Sequence, residues 1–188
     1  MDKRIRLLTL SVMFAAINYV AFAYGKISIP TSPTTNTAIH IANAVVVLSA
    51  WMIGPYYGGL AGAVGLSIAD LMDPRYLLSA PKTFLMKFAI GFIAGKTAEK
   101  MKLKEKDDPK EIHRITLISS ICALGFNVVI DPVFGYLYKK FILRMSIEAA
   151  TIMVAWSTGV TFINAVVCVI VAVLLYLPLH KTFRNIEH

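Results

Sequence analysis

Between Ala38 and Gly95 the chain carries three apolar runs, each of about the length that crosses a bilayer. This feature constrains the fold more than any other, because backbone in hydrocarbon must satisfy its own polar groups and is therefore helical or a closed barrel. The runs are broken by a tight Gly54-Pro55 turn and by Asp73-Pro74. Set into them are His40, Asn43, Asp70 and Lys87. Polar side chains at such positions are costly and seldom lack a task. Composition agrees: 57% of the residues are hydrophobic and 16% charged, where a soluble domain carries about a quarter charged residues. The sequence predicts an all-α integral membrane protein.

The whole chain reads as a single six-helix membrane domain over residues 1–188, with helices at about 5–24, 38–53, 57–72, 82–98, 114–131 and 148–177. The basic start is followed by an apolar run that passes signal-peptide length with no small-residue cleavage site, so it reads as a retained first helix. Residues 26–37 hold two prolines and many hydroxyls and predict a long loop of the kind that covers a site. Gly58, Ala61, Gly62, Gly65 and Ala69 form a smooth strip on helix 3, and Gly91 and Gly95 repeat the spacing on helix 4; both are signals of close helix packing. Pro132 is expected to stop helix 5, leaving the aromatic and basic residues 133–147 as an interfacial segment with partial helix. Helix 6 exceeds a bilayer and must tilt or protrude. Cys122 and Cys168 lie in apolar runs and read as buried small hydrophobes, not a disulfide.

Six spans place both termini on one side. That side collects about 12 of the 19 lysines and arginines, so it is cytoplasmic and the protein is a multi-pass protein of the cell membrane. His40, Asn43, Asp70, Asn127 and Asp131 then fall near the outer ends of their helices. Lys87, Trp156, Ser157 and Asn164 sit slightly deeper. Residues from helices 2 to 6 thus share one depth band, which predicts an outward-facing pocket with His40, Asn43, Asp70, Lys87, Asn127, Asp131, Trp156 and Asn164 as its substrate-binding groups. Each amide offers donor and acceptor together, and the Trp156 indole offers a flat wall. Lys87 requires a partner and is expected to pair with a carboxylate. Three of these residues also have a structural reading: His40 as a hydrogen-bonded core histidine, Asp70 as the partner of Lys87 or a cap on loop amides, and Asp131 as a helix-end residue.

Several function classes are disfavoured. The net charge of +8 lies between and outside the apolar runs and sets topology, not nucleic-acid binding. Gly91 to Thr97 looks like a phosphate-binding loop but has three residues between its glycines and ends a membrane helix. There is no His-Glu-x-x-His metal motif, and Ser157 and His40 lack the setting of a nucleophile and its base. No catalytic residue, metal site or cofactor is expected, and any ATP used is hydrolysed by a partner.

The stretch HIANAVVVLSAWMIGPYYGGLAGAVGLSIADLM, followed by APKTFLMKFAIGFIAG, resembles the S component of an energy-coupling factor (ECF) vitamin transporter. The pattern is a Gly-Pro-x-x-Gly turn, a glycine-rich third helix ending in an aspartate, and a Pro-x-x-Phe/Leu start to helix 4 with a lysine inside. The resemblance implies a non-catalytic subunit that captures a vitamin in an outward pocket beneath the loop after helix 1. It implies docking on a scaffold membrane subunit that carries two cytoplasmic ATPases. The family's Ala-x-x-x-Ala docking motif on helix 1 is matched here by Ser11 and Ala15, with serine in place of the first alanine. The His-x-x-Asn start of helix 2 looks closest to the hydroxymethylpyrimidine or vitamin B6 (pyridoxine) branch. Pantothenate is the alternative, and another vitamin such as riboflavin stays open. A stand-alone carrier is weakened by the lack of a visible internal repeat, and a small membrane enzyme by the points above.

Overall fold

The structure, a computed structural model, describes residues 3–31 and 36–187. In chain order these form α1 (Lys3–Ala23), β1 (Ile27–Pro30), β2 (Asn36–Ile39), α2 (Ala42–Ile53), α3 (Pro55–Leu71), α4 (Ala80–Lys100), α5 (Pro109–Leu137) and α6 (Ile147–Glu187). The strands pair antiparallel, Ile27 with Ile39 through Pro30 with Asn36. Four stretches are long and apolar enough to cross a membrane: Arg4–Ala23, Leu77–Lys100, Pro109–Ile142 and Ile147–His180; α2 is apolar but shorter. The outer surface is apolar, with Val12, Met13, Ile68, Leu71, Val129, Phe162 and Leu174 all exposed. That surface suits lipid, not water.

α3 runs through the middle of the bundle and meets α1, α2 and α4. Its glycines permit this. A Cβ at Gly58 would strike the Ala50 backbone, and one at Gly65 the Ala15 carbonyl. On α4, a Cβ at Gly91 would come 2.6 Å from Gly59 Cα, and one at Gly95 2.5 Å from Pro55 Cα. The small residues read as a packing signal are therefore helix crossings. Gly54 turns α2 into α3 with φ 92°, a conformation that favours glycine, and Pro55 opens the next helix. In the half of the bundle away from the hairpin Trp51 is buried, and its Nε1 donates to Ser119 Oγ (2.8 Å), which donates to the Ala94 carbonyl (2.7 Å).

The structure corrects several boundaries. Residues 38 and 39 are strand, not helix, so His40 lies in a two-residue link ahead of α2. Pro132 does not stop α5, which continues to Leu137 and then makes one wide π turn over Tyr138–Ile142. A proline removes one backbone hydrogen bond, and a bundle can absorb that where neighbours hold the helix. α6 begins near the expected residue but runs through Pro178 to Glu187. Cys122 is exposed on α5; Cys168 is buried as expected, and both are free. Ser11 and Ala15 do not form an open face of α1. They border the seam with α3, where Ala15 meets Gly65, while the fully exposed stripe is Ile5, Leu8, Val12, Met13, Ile17 and Val20.

Candidate functional site

A cavity of about 140 Å³ opens at the hairpin end of the bundle. Seven segments contribute: Phe22 from α1; Thr37, Ala38 and His40 from the hairpin and its link; Asn43 from α2; Asp70 and Tyr76 from the end of α3 and its following turn; Lys82, Thr83 and Lys87 from α4; Asn127, Asp131, Tyr138 and Lys139 from α5 and the π turn; and Met153, Ser157, Thr161 and Asn164 from α6. All lie at one end although they come from successive helices, so the helices alternate in direction. Seven of the eight residues expected to converge do so: His40, Asn43, Asp70, Lys87, Asn127, Asp131 and Asn164. Trp156 does not. It is 61% exposed on the outer face of α6, one position away from the inward stripe of Ser157, Thr161 and Asn164. The aromatic wall is instead built from Phe22, Tyr76 and Tyr138.

The polar groups divide into those already partnered and those left open. Asn164 is partnered. Its Nδ2 donates to the Ala38 carbonyl (2.8 Å) and its Oδ1 accepts from the His40 backbone N–H (3.0 Å). The buried amide acts as an extra length of strand and fixes β2 to α6. Asp131 pairs with Lys82 (2.8 Å), and Asp70 accepts from Thr83 Oγ1 (2.6 Å). Neither carboxylate is the direct partner of Lys87, whose ammonium donates to Asn43 Oδ1 (2.8 Å). Two deeply buried atoms are open: His40 Nδ1 and Asn127 Oδ1 have no hydrogen-bond partner. Burial first, then the charges of Lys87 and Lys26, hold the His40 imidazole down to about 3, so it is neutral.

The hairpin is tied down on its other side as well. The Tyr76 hydroxyl donates to the Thr37 carbonyl (3.1 Å) and lies 2.9 Å from Ser28 Oγ, touching both strands. Lys26 pairs with Asp73 (2.9 Å) and lies over the rings of Phe22 and Tyr76, 4.7 and 4.3 Å from their centres. Hydrogen bonds from Arg75 first, and then from Lys26, hold the Asp73 carboxyl well below the usual carboxylate range.

Sequence reasoning missed Lys82, Thr83, Tyr76 and Phe22. Thr83 was within reach, because it lies four residues before Lys87 on one face of α4. Tyr76 and Phe22 carry no such signal; each becomes a wall through tertiary contact with the hairpin.

The comparisons with known proteins agree with this architecture. The sequence model of the family "ECF-type riboflavin transporter, S component" matches residues 3–181. No curated protein matches the sequence. Among solved structures, the S component of a bacterial ECF transporter is similar over 96% of this chain and 99% of its own, with a TM-score of 0.63 at 18% identity. The S component for biotin from an ECF-type ABC transporter is similar over 93% and 94%, with a TM-score of 0.60 at 16% identity. At these identities the likeness concerns the fold.

Proposed function

The chain belongs to the family of ECF-type riboflavin transporter S components, and from that premise we propose that it captures a small, single-ring vitamin or precursor of the pyridoxine or hydroxymethylpyrimidine class. The observation that carries the reading is the size of the cavity. A single buried water needs about 10–15 Å³ on this measure, so about 140 Å³ is room for a small ligand. Riboflavin, with its three fused rings and ribityl chain, is bulkier than pyridoxine, hydroxymethylpyrimidine or pantothenate. Phe22, Tyr76 and Tyr138 supply ring contacts in place of Trp156, and His40, Asn43, Lys87 and Asn127 read the substituents. Asp70 and Asp131 set the field through Thr83 and Lys82, and Asn164 positions the hairpin.

Pantothenate is the second reading. It is favoured by Lys87, which has an amide and not a carboxylate as its direct partner and so suits an acidic ligand.

In this reading all six helices span the cell membrane, both termini are cytoplasmic, and the cavity opens outward. Delivery runs through a scaffold membrane subunit and two partner ATPases, and this chain performs no catalysis. Docking uses α1, where Ser11 and Ala15 flank the exposed stripe centred on Val12. The first test is gentle purification, native mass spectrometry and titration with pyridoxine, hydroxymethylpyrimidine, pantothenate, biotin and riboflavin. Tight binding of a single-ring vitamin is expected. Preference for riboflavin would overturn the size argument. Val12→Trp is expected to abolish co-purification with the scaffold, and an unchanged complex would remove α1 from the docking surface.

A further inference from the structure

We infer that the cavity selects its ligand by an acidic oxygen held at Lys87 and Asn43, with a hydrogen-bond donor of the same ligand facing Asn127. The inference rests on the reading of this cavity as a vitamin site. It narrows that reading to vitamins that carry an anionic oxygen.

Three lysines, Lys82, Lys87 and Lys139, face two aspartates, Asp70 and Asp131. Lys82 and Asp131 answer each other. Asp70 is engaged by a neutral hydroxyl. Lys87 donates one of its three N–H bonds to Asn43 Oδ1. That bond fixes the Asn43 amide with its oxygen toward the ammonium, so the Asn43 N–H groups are donors beside a cation. A cation with an adjacent amide donor, both buried on the wall of the cavity, suits an anionic oxygen better than a neutral group.

The remaining open groups have the opposite character. Asn127 is 3% exposed and its Oδ1 accepts from nothing. A ligand N–H or O–H would satisfy it, and a buried acceptor left unmet is costly. His40, 7% exposed with Nδ1 unpartnered, is the third group in the pattern. The ligand therefore presents an anionic oxygen at one place and a donor at another. Pyridoxine as its phenolate has both, through the ring oxygen and its hydroxymethyl groups. Pantothenate has both, through its carboxylate and its hydroxyls. Hydroxymethylpyrimidine has donors but no acidic oxygen, and the inference ranks it below the other two.

The test uses matched pairs on the full chain: pantothenate against pantothenol, and pyridoxine against 3-O-methylpyridoxine, with hydroxymethylpyrimidine alongside. In whichever pair binds, masking the acidic oxygen is expected to weaken binding about 100-fold. Lys87→Met is expected to weaken the acidic member by a similar factor and leave the masked member within about threefold, so the discrimination disappears. Asn127→Leu is expected to weaken both members alike. Equal binding of both members by the unmutated protein, or tightest binding of hydroxymethylpyrimidine, overturns the inference and leaves vitamin capture standing. Binding of riboflavin alone, or of nothing in the panel, overturns the cavity reading and the inference with it. If Lys87→Met does not fold, the pair comparison on the unmutated protein decides.

Discussion

The two sides of the cavity mouth are built differently. On one side the hairpin of β1 and β2 is fastened to α6 and to the turn after α3. Asn164 holds it to α6 through two hydrogen bonds. Tyr76 touches both strands, and the Lys26–Asp73 pair closes its base. On the other side, residues 138–146 join α5 to α6 through a π turn and Arg144 at φ 52°. The link from this arm to the α3–α4 connection is one hydrogen bond, from the exposed Tyr138 hydroxyl to the Leu78 carbonyl (3.0 Å). Local opening follows the side with fewer buried contacts and more exposed hydrogen bonds. The stretch 26–37, expected from sequence as a loop that covers the site, is paired as strands over 27–30 and 36–39, and residues 32–35 lie outside the described residues. The α5–α6 arm is therefore expected to be the side that yields.

The largest effect is expected from Asn164→Leu. It removes both bonds at once and leaves the His40 N–H and the Ala38 carbonyl buried and unmet, at about 1–3 kcal/mol each. Ligand affinity should fall about 100-fold, because the clamp also sets the position of His40, and thermal stability in detergent should drop. Unchanged affinity in a folded variant would break the comparison on its stronger side. Tyr76→Phe comes next. It deletes one hydroxyl from the strand pair and should cost about 1 kcal/mol, read as a five- to tenfold loss of affinity by calorimetry.

These two residues also show where the sequence stopped being legible. Convergence of polar groups in one depth band follows from helix lengths and the placement of each residue along its run. Those are local properties, and seven of eight residues fell in the cavity. Trp156 failed because adjacent residues on a helix point about 100° apart; the stripe of Ser157, Thr161 and Asn164 already marked the inward face, and Trp156 lay beside it. The strand at 36–39 was hidden for another reason. Ala38, Ile39 and Ile41 continue the apolar run of α2, and no turn residue marks its start. What holds that stretch extended is its pairing with β1 and the amide of Asn164, more than 120 residues away. The pairing of Lys87 with Asn43 was missed on similar grounds: charge arithmetic pointed to a carboxylate, but Lys82 and Thr83, one turn earlier on α4, reach Asp131 and Asp70 first.

A smaller effect is expected at the base of the hairpin. Asp73 is held below the ordinary carboxylate range in the folded protein. Its contribution is therefore complete above the unfolded value of about 3.9 and is lost only as pH falls through the lower folded value. Thermal stability should not change on account of Asp73 between pH 8 and pH 5. Asp73→Asn removes the pair at every pH and should weaken ligand binding by about two- to fivefold, as expected for a partly exposed ion pair. A loss of hairpin anchoring already at pH 6 in the unmutated protein would show that other titrating groups hold it.

Tyr138→Phe should change affinity least and kinetics most. Its hydroxyl makes one exposed bond across the weaker side of the mouth, and water replaces such a bond at little net cost. The bond nevertheless spans the gap that the ligand crosses. If the α5–α6 arm is the side that opens, its loss speeds opening with or without ligand. Association and dissociation rates should then rise together by about threefold, with Kd nearly unchanged. Stopped-flow measurement of both rates decides the matter. Faster rates in Tyr138→Phe and unaltered rates in Tyr76→Phe would assign the mouth to the arm. The reverse pattern would assign it to the hairpin, and Asn164 would then be a hinge, since its two bonds hold β2 next to the point where the strand leaves for α2.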